Sequence, residues 1–121
     1  MTRRLEIAID CRDLAVMSRF WTRLLDYDDA QPMDDVYWAA VDPKGSGPRL
    51  VFQRVDDVAV GKSPIHLDVH VEDLEAAAAT VTAMGGTRID HTPIAEAGSI
   101  WIRFEDPEGN VFCLVRARSN A

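Results

Sequence analysis

The chain repeats itself, and the repeat restricts its possible folds more than any other feature. Leu5-Glu6-Ile7-Ala8-Ile9-Asp10, followed by Asp13-Leu14, returns 60 positions later as Ile65-His66-Leu67-Asp68-Val69-His70, followed by Asp73-Leu74. Val51-Phe52-Gln53 returns at the same shift as Val111-Phe112-Cys113. Between these anchors, Asp42-Pro43-Lys44-Gly45 matches Asp106-Pro107-Glu108-Gly109, with small insertions on either side. Three matches in one order indicate duplication of a single supersecondary unit.

Each copy reads as strand, helix, then strands. Residues 5–11 alternate apolar and polar, the period of a half-buried strand. Asp13 stands where a helix N-cap belongs, its carboxylate placed to accept unpaired amide hydrogens. Leu14, Met17, Trp21, Leu24 and Leu25 follow at helical spacing and form one apolar stripe, which assigns Trp21 to the core. Strands are expected at 36–41 and 49–54, with a short one near 28–33. In the second copy 64–71 is the strand and Asp73 the cap. An Ala-rich helix runs to Met84 and stops at Gly85-Gly86. Strands at 87–92, 99–105 and 111–116 complete it, the last two joined by a turn at Asp106-Pro107-Glu108-Gly109. That turn reads as structural punctuation rather than a site.

Composition narrows the function. No Pro/Gly/Ser-rich linker interrupts the 121 residues, so residues 1–121 are expected to form one domain, with modules at about 1–58 and 59–121. A net charge of −7, with Lys and Arg scattered, argues against a nucleic-acid partner. No apolar run approaches the roughly 20 residues of a membrane span, and the N-terminal residues lack the pattern of a signal peptide. Two cysteines, Cys11 and Cys113, are too few for a disulfide scaffold and suit a reducing cytoplasm.

The chain resembles the glyoxalase, bleomycin-resistance and extradiol-dioxygenase superfamily, also called the vicinal-oxygen-chelate superfamily. The resemblance rests on Ile9-Asp10-Cys11-Arg12-Asp13 leading into Phe20-Trp21, on His66-Leu67-Asp68-Val69, and on the run Phe104-Glu105-Asp106-Pro107-Glu108-Gly109-Asn110-Val111-Phe112-Cys113. It is nearest a glyoxalase-like subgroup rather than one of known activity. It implies an α+β fold: two tandem βαβββ modules whose strands curl into a half-barrel, helices on the convex face and a ligand on the concave one. It also suggests a homodimer. Since one fold hosts many chemistries, it does not fix the reaction.

Strand alternation then sorts the residues. Leu5, Ile7 and Ile9 should pack beneath the first helix, leaving Glu6, Ala8 and Asp10 in the cavity. Leu67, Val69 and Val71 should pack beneath the second, leaving His66, Asp68 and His70 in the cavity. Tyr37, Val51, Gln53, Trp101, Arg103 and Cys113 are expected on the same surface. His66 and His70 are candidate acid–base groups, being imidazoles that titrate near neutrality. The alternative for His66 is a neutral ring bonded to a carboxylate such as Asp68. Trp101 offers a flat wall to a ring. Arg103 is expected to hold a ligand carboxylate or to pair with Glu105 or Asp68.

In metal-dependent members the resemblance places four ligands at positions occupied here by Glu6, Gln53, His66 and Cys113. Cys113 stands where glyoxalase I carries a carboxylate that is both ligand and proton carrier, and a Gln amide is a poor ligand. The expectation is therefore a small-molecule-binding protein with no metal or other cofactor, and not a true glyoxalase I, in which Cys113 is a small buried hydrophobe. The alternative is a metal-dependent lyase, epimerase or dioxygenase, with those four residues around zinc, nickel, iron or manganese.

Overall fold

The computed structural model describes residues 6–56, 66–96 and 98–117. The chain divides into two compact units, Met1–Ala59 and Val60–Ala121, each with its own helix and sheet. The module boundary expected at 58/59, Leu5, and strand residues 64 and 65 lie outside the described residues.

The first unit runs β1 (Glu6–Cys11), α1 (Leu14–Leu25), β2 (Gln31–Pro32), β3 (Tyr37–Ala40) and β4 (Arg49–Arg54). Its sheet has the order β1-β4-β3-β2, with β1 parallel to β4 and the other pairs antiparallel. Asp13 caps α1 as expected: its Oδ1 accepts from the Val16 amide at 3.0 Å. The helix ends where Asp26 turns left-handed (φ 59°), so that the Asp26 and Tyr27 amides close onto the carbonyls of Arg23 and Thr22. Met17, Phe20 and Trp21 are buried with Leu50, Phe52 and Ala40, which places Trp21 in the core. Ile7 and Ile9 are half-buried, whereas Glu6, Ala8 and Asp10 between them are exposed. The strand expected at 28–33 shrinks to Gln31–Pro32 because Asp34 takes over the next amides, its Oδ1 accepting from Val36 and Tyr37, each at 2.8 Å.

The second unit runs β5 (Leu67–His70), α2 (Leu74–Ala83), β6 (Thr87–Arg88), β7 (Ile94–Glu96), β8 (Ser99–Glu105) and β9 (Val111–Ala117). Its sheet order is β5-β9-β8-β6, with β5 parallel to β9 and β7 also paired to β8. Asp73 caps α2 through the Ala76 amide at 3.0 Å. Val69, Ala78, Val81, Ile102, Leu114 and the stacked pair Phe104–Phe112 fill this unit's core. The strand expected at 87–92 is broken. β6 stops at Arg88, and β7 was not foreseen. A side chain replaces the ladder there: the Arg103 amide donates to Asp90 Oδ2 at 3.0 Å instead of to a strand carbonyl. Pro93, just before β7, cannot donate to a ladder at all.

The repeat also recurs in the turns. Asp42 Oδ1 accepts from the Lys44 amide, and Oδ2 from the Ser46 amide and hydroxyl and the Gly47 amide. These bonds, the Lys44 one foremost, hold its carboxyl below the usual range. Asp106 is buried and gathers the Glu108 and Asn110 amides and the Asn110 side chain, each at 2.9 Å. Both turns need φ > 0 three residues on, supplied by Gly45 (72°) and Gly109 (87°). Removing Asp106 strands buried donors, each costing roughly 1–3 kcal/mol, while water can reach those around Asp42. Asp106→Ala should therefore lower stability by about 3 kcal/mol, and Asp42→Ala by about 1 kcal/mol, as read from urea denaturation midpoints.

Candidate functional site

Parity along each strand separates a face under the helix from a helix-free face. In the first unit the helix-free face carries Glu6, Ala8 and Asp10 on β1, then Arg49, Val51 and Gln53 on β4, and Tyr37 and Ala39 on β3, in matching register. Gln53 lies between Asp10 and Tyr37 in one cross-strand row. Glu6 lies beside Arg49, which the sequence reading did not single out. The Arg49 Nε and Nη2 atoms both reach Glu6 Oε2 at 2.7 Å. Arg49 becomes legible only with the register, since nothing in the linear sequence links residues 6 and 49.

The second unit places His66, Asp68 and His70 on the helix-free side of β5, all three exposed. Cys113 of β9 pairs across the strands with Asp68 on one side and Arg103 of β8 on the other. The next row joins His70, Val115, Trp101 and Ile94. Trp101 is half-buried and stands about 6.6 Å along the strand from the Asp68 row. All the expected second-unit residues therefore share one face.

Asp68 is the centre of that face. His66 Nε2 lies 3.1 Å from Asp68 Oδ1, the pairing expected of a histidine held by a carboxylate. Burial, then the charge and hydrogen bond of Asp68, push the Cys113 thiol up to about 11. Cys113 is only 6% exposed, so both its burial and its neighbour keep it protonated at neutral pH. A thiol that is not ionised is not a nucleophile, which removes Cys113 from that role.

Arg103 has neither expected partner. Its Nε and Nη2 grip Asp90 Oδ2 and Oδ1 at 2.9 and 2.8 Å, a two-pronged pair. Arg88 secures the same segment, bonding the carbonyls of Asp90 and His91 and the Glu75 carboxylate of α2. Asp90 was missed because its role depends on the break between β6 and β7.

A family model for the glyoxalase-like domain matches residues 6–115. The chain belongs to the glyoxalase-like family. Among solved structures, a glyoxalase/bleomycin resistance protein/dioxygenase family enzyme from Burkholderia phytofirmans PsJN is 16% identical, with a TM-score of 0.75 over 93% of this chain and 96% of that one. The fosfomycin resistance protein FosX from Listeria monocytogenes is 13% identical, with a TM-score of 0.76 over 97% and 94%. A superfamily member from Sphaerobacter thermophilus DSM 20745 is 20% identical, with a TM-score of 0.70 over 96% and 98%. At these identities the likeness is one of fold, and it bears out the α+β glyoxalase fold. No curated protein sequence matches. Among the described residues no helix is long and apolar enough to cross a membrane.

The glyoxalase-like fold implies a metal quartet, but the first unit's residues do not fit their half of it. Gln53 pairs with Asp10 while Glu6 pairs with Arg49, which sets the two positions four residues, or roughly 13 Å, apart along the strands. Glu6 is moreover already neutralised by Arg49. The 60-residue shift hides this difference, because Ile7 pairs with Leu50 whereas Leu67 pairs with Phe112, a register two residues further along. The last strands therefore do not keep the shift that aligns the first strands.

The Asp90–Arg103 pair supports a prediction about pH. Hydrogen bonding from Arg103, above all, lowers the Asp90 carboxyl below its usual 3.8. A depressed carboxyl contributes stability that is present above the unfolded value and lost as pH falls through the folded one. Asp90→Asn should be less stable than wild type at pH 7, with the gap narrowing as pH falls below 3.8. Urea titrations at several pH values read the gap.

Proposed function

We propose that this glyoxalase-like protein binds a small organic molecule on the helix-free faces of its sheets, without the four-ligand metal centre of glyoxalase I. The observation that carries this reading is the second unit's face, where His66, Asp68 and His70 converge beside the half-buried ring of Trp101. A few placed polar groups beside an aromatic wall are the usual means of orienting a small ligand. Tyr37, Gln53 and Asp10 offer a similar, smaller set in the first unit.

Charge refines the ligand class. Among the described residues, the arginines on these faces are Arg49 and Arg103, and each is paired with a carboxylate that partly cancels the charge it could offer an anion. Asp68 and Asp10 favour a ligand with a cationic or hydrogen-bond-donating group. Fosfomycin, an anionic phosphonate, is resisted by proteins similar in fold, but it suits these faces poorly.

The isomerisation run by glyoxalase I needs a base and a Lewis acid at adjacent carbons. Here the position of the proton-carrying carboxylate holds a protonated thiol, and Gln53 cannot ionise. A second reading, metal-free acid–base catalysis, is favoured by one contact. His66 Nε2 lies 3.1 Å from Asp68 Oδ1, so the carboxylate can orient the imidazole as an acid–base group. We further propose that the protein is cytoplasmic and homodimeric, since an unpaired edge strand invites pairing with a second copy.

The test is a screen of planar amines against chelator-treated protein, read by intrinsic fluorescence. Binding should persist without metal, and Trp101→Ala or Asp68→Asn should each weaken it by roughly tenfold, about 1.4 kcal/mol. Binding that appears only after metal is restored contradicts the reading.

A further inference from the structure

We propose that Asp90 determines the charge specificity of the second unit's helix-free face. Held as the fixed counter-ion of Arg103, it makes that face accept a ring bearing a cationic nitrogen and turn away a ring bearing a carboxylate. The proposal rests on the ligand-binding reading and adds to it a selecting residue that need not touch the ligand.

Asp90 owes its place to a break in strand pairing. Arg88 pairs with Phe104 and Ile94 with Trp101, so six steps along one strand span three along β8, and three residues are looped out. The loop opens just after Ile89, whose amide still donates to the Arg103 carbonyl at 2.9 Å. Asp90 follows at once, and its carboxylate turns back onto Arg103. Three is an odd number, so the alternation reverses beyond the loop, and Ile94 rather than Ala95 shares the row of Trp101.

An ordinary surface ion pair contributes little, because two long side chains must be ordered to make it. This one is built in. The Arg103 amide, Nε and Nη2 all donate to the Asp90 carboxylate, at 3.0, 2.9 and 2.8 Å. The Asp90 side chain is 12% exposed, against 49% for Arg103. Its loop is also fixed from the helix side, where Arg88 donates to the Asp90 and His91 carbonyls and pairs with Glu75 of α2. The carboxylate is therefore in position before any ligand arrives, and a ligand carboxylate must compete with it.

Charge around Cys113 shows what Asp90 changes. Arg103 is the cross-strand neighbour of Cys113 on one side, and Asp68 is its neighbour on the other. Glu105 shares the parity of Arg103 on β8 and adds a second acid to the face. With Asp90 in place the guanidinium is answered, and Asp68 and Glu105 set the sign. Without it, one positive charge is uncovered about 5 Å from Cys113, the spacing of cross-strand neighbours. In a water-like dielectric a unit charge at that distance changes the affinity of a singly charged ligand roughly fourfold. Comparing a cation with an anion of the same shape doubles the effect on the logarithmic scale, to roughly tenfold or more.

Alkylation of Cys113 in the full-length protein reads that sign with no ligand present. Iodoacetate and iodoacetamide react with the same thiolate, so changes in its ionisation or exposure cancel in the ratio of their rates. With peptide mapping to separate Cys11, Asp90→Asn should raise the iodoacetate-to-iodoacetamide ratio at Cys113 roughly fourfold. Asn keeps an acceptor for the Arg103 amide, and the double variant Asp90→Asn/Arg103→Gln should return the ratio to the wild-type value. A merely structural role would move both rates together and leave the ratio alone. Naphthylmethylamine and naphthoate, a ring pair of opposite charge, give the second readout. Wild type should bind the amine more tightly, and Asp90→Asn should shift that preference toward naphthoate by roughly tenfold. An unchanged alkylation ratio in Asp90→Asn overturns the proposal, as does a raised ratio that survives in the double variant. If neither ring compound binds the wild type, the ligand-binding reading fails and the proposal falls with it. An unchanged ratio with amine binding intact sinks the proposal alone.

Discussion

The parallel pairing of the first and last strands in each unit is the constraint on which the rest depends. A parallel pair cannot be closed by a tight turn, so the chain needs a long crossover connection, which in each unit begins with a helix. In each unit that helix packs on one side of the sheet, α1 against β3 and β4, α2 against β6, β8 and β9. The other side is left without a helix. Strand parity then decides every later question, because a residue's place in the alternation sets whether it meets the core or the helix-free face.

The two copies have used that free face differently. At the positions of Glu6, Ala8 and Asp10 the second copy has His66, Asp68 and His70. Ala8 and Ala39 flank Val51, a small apolar patch with Val51 itself buried. Their counterparts around Cys113 are Asp68 and Arg103, charged groups that converge on a thiol. One duplicated frame thus yields a mostly quiet sheet and a chemically loaded one. The change that matters most is alanine to aspartate at a single strand position.

Much of this was legible in the sequence. The caps Asp13 and Asp73 and the inward and outward sorting of Glu6 to Cys11 follow from local rules, and local rules act within a few residues. Strand register is different, since it is set by packing over long separations. The repeat alone therefore put Gln53 and Cys113 at equivalent places, and only the pairing shows Gln53 beside Asp10. The same cause hid Arg49, which is the cross-strand neighbour of Glu6 but 43 residues away. Asp90 was hidden because a side chain there does the work of a ladder carbonyl, and alternation reads on through 87–92 as though the strand were whole.

Asp68 links these threads: it binds His66, raises the Cys113 thiol, and lies one row from Trp101. The measurement that tests its role most directly is the ionisation of Cys113, followed by alkylation rate against pH with peptide mapping to separate it from Cys11. The thiol should titrate at about 11 in the native protein and move toward the ordinary 9.0 in Asp68→Asn. A native value already near 9.0, or one that Asp68→Asn leaves unmoved, would contradict the account.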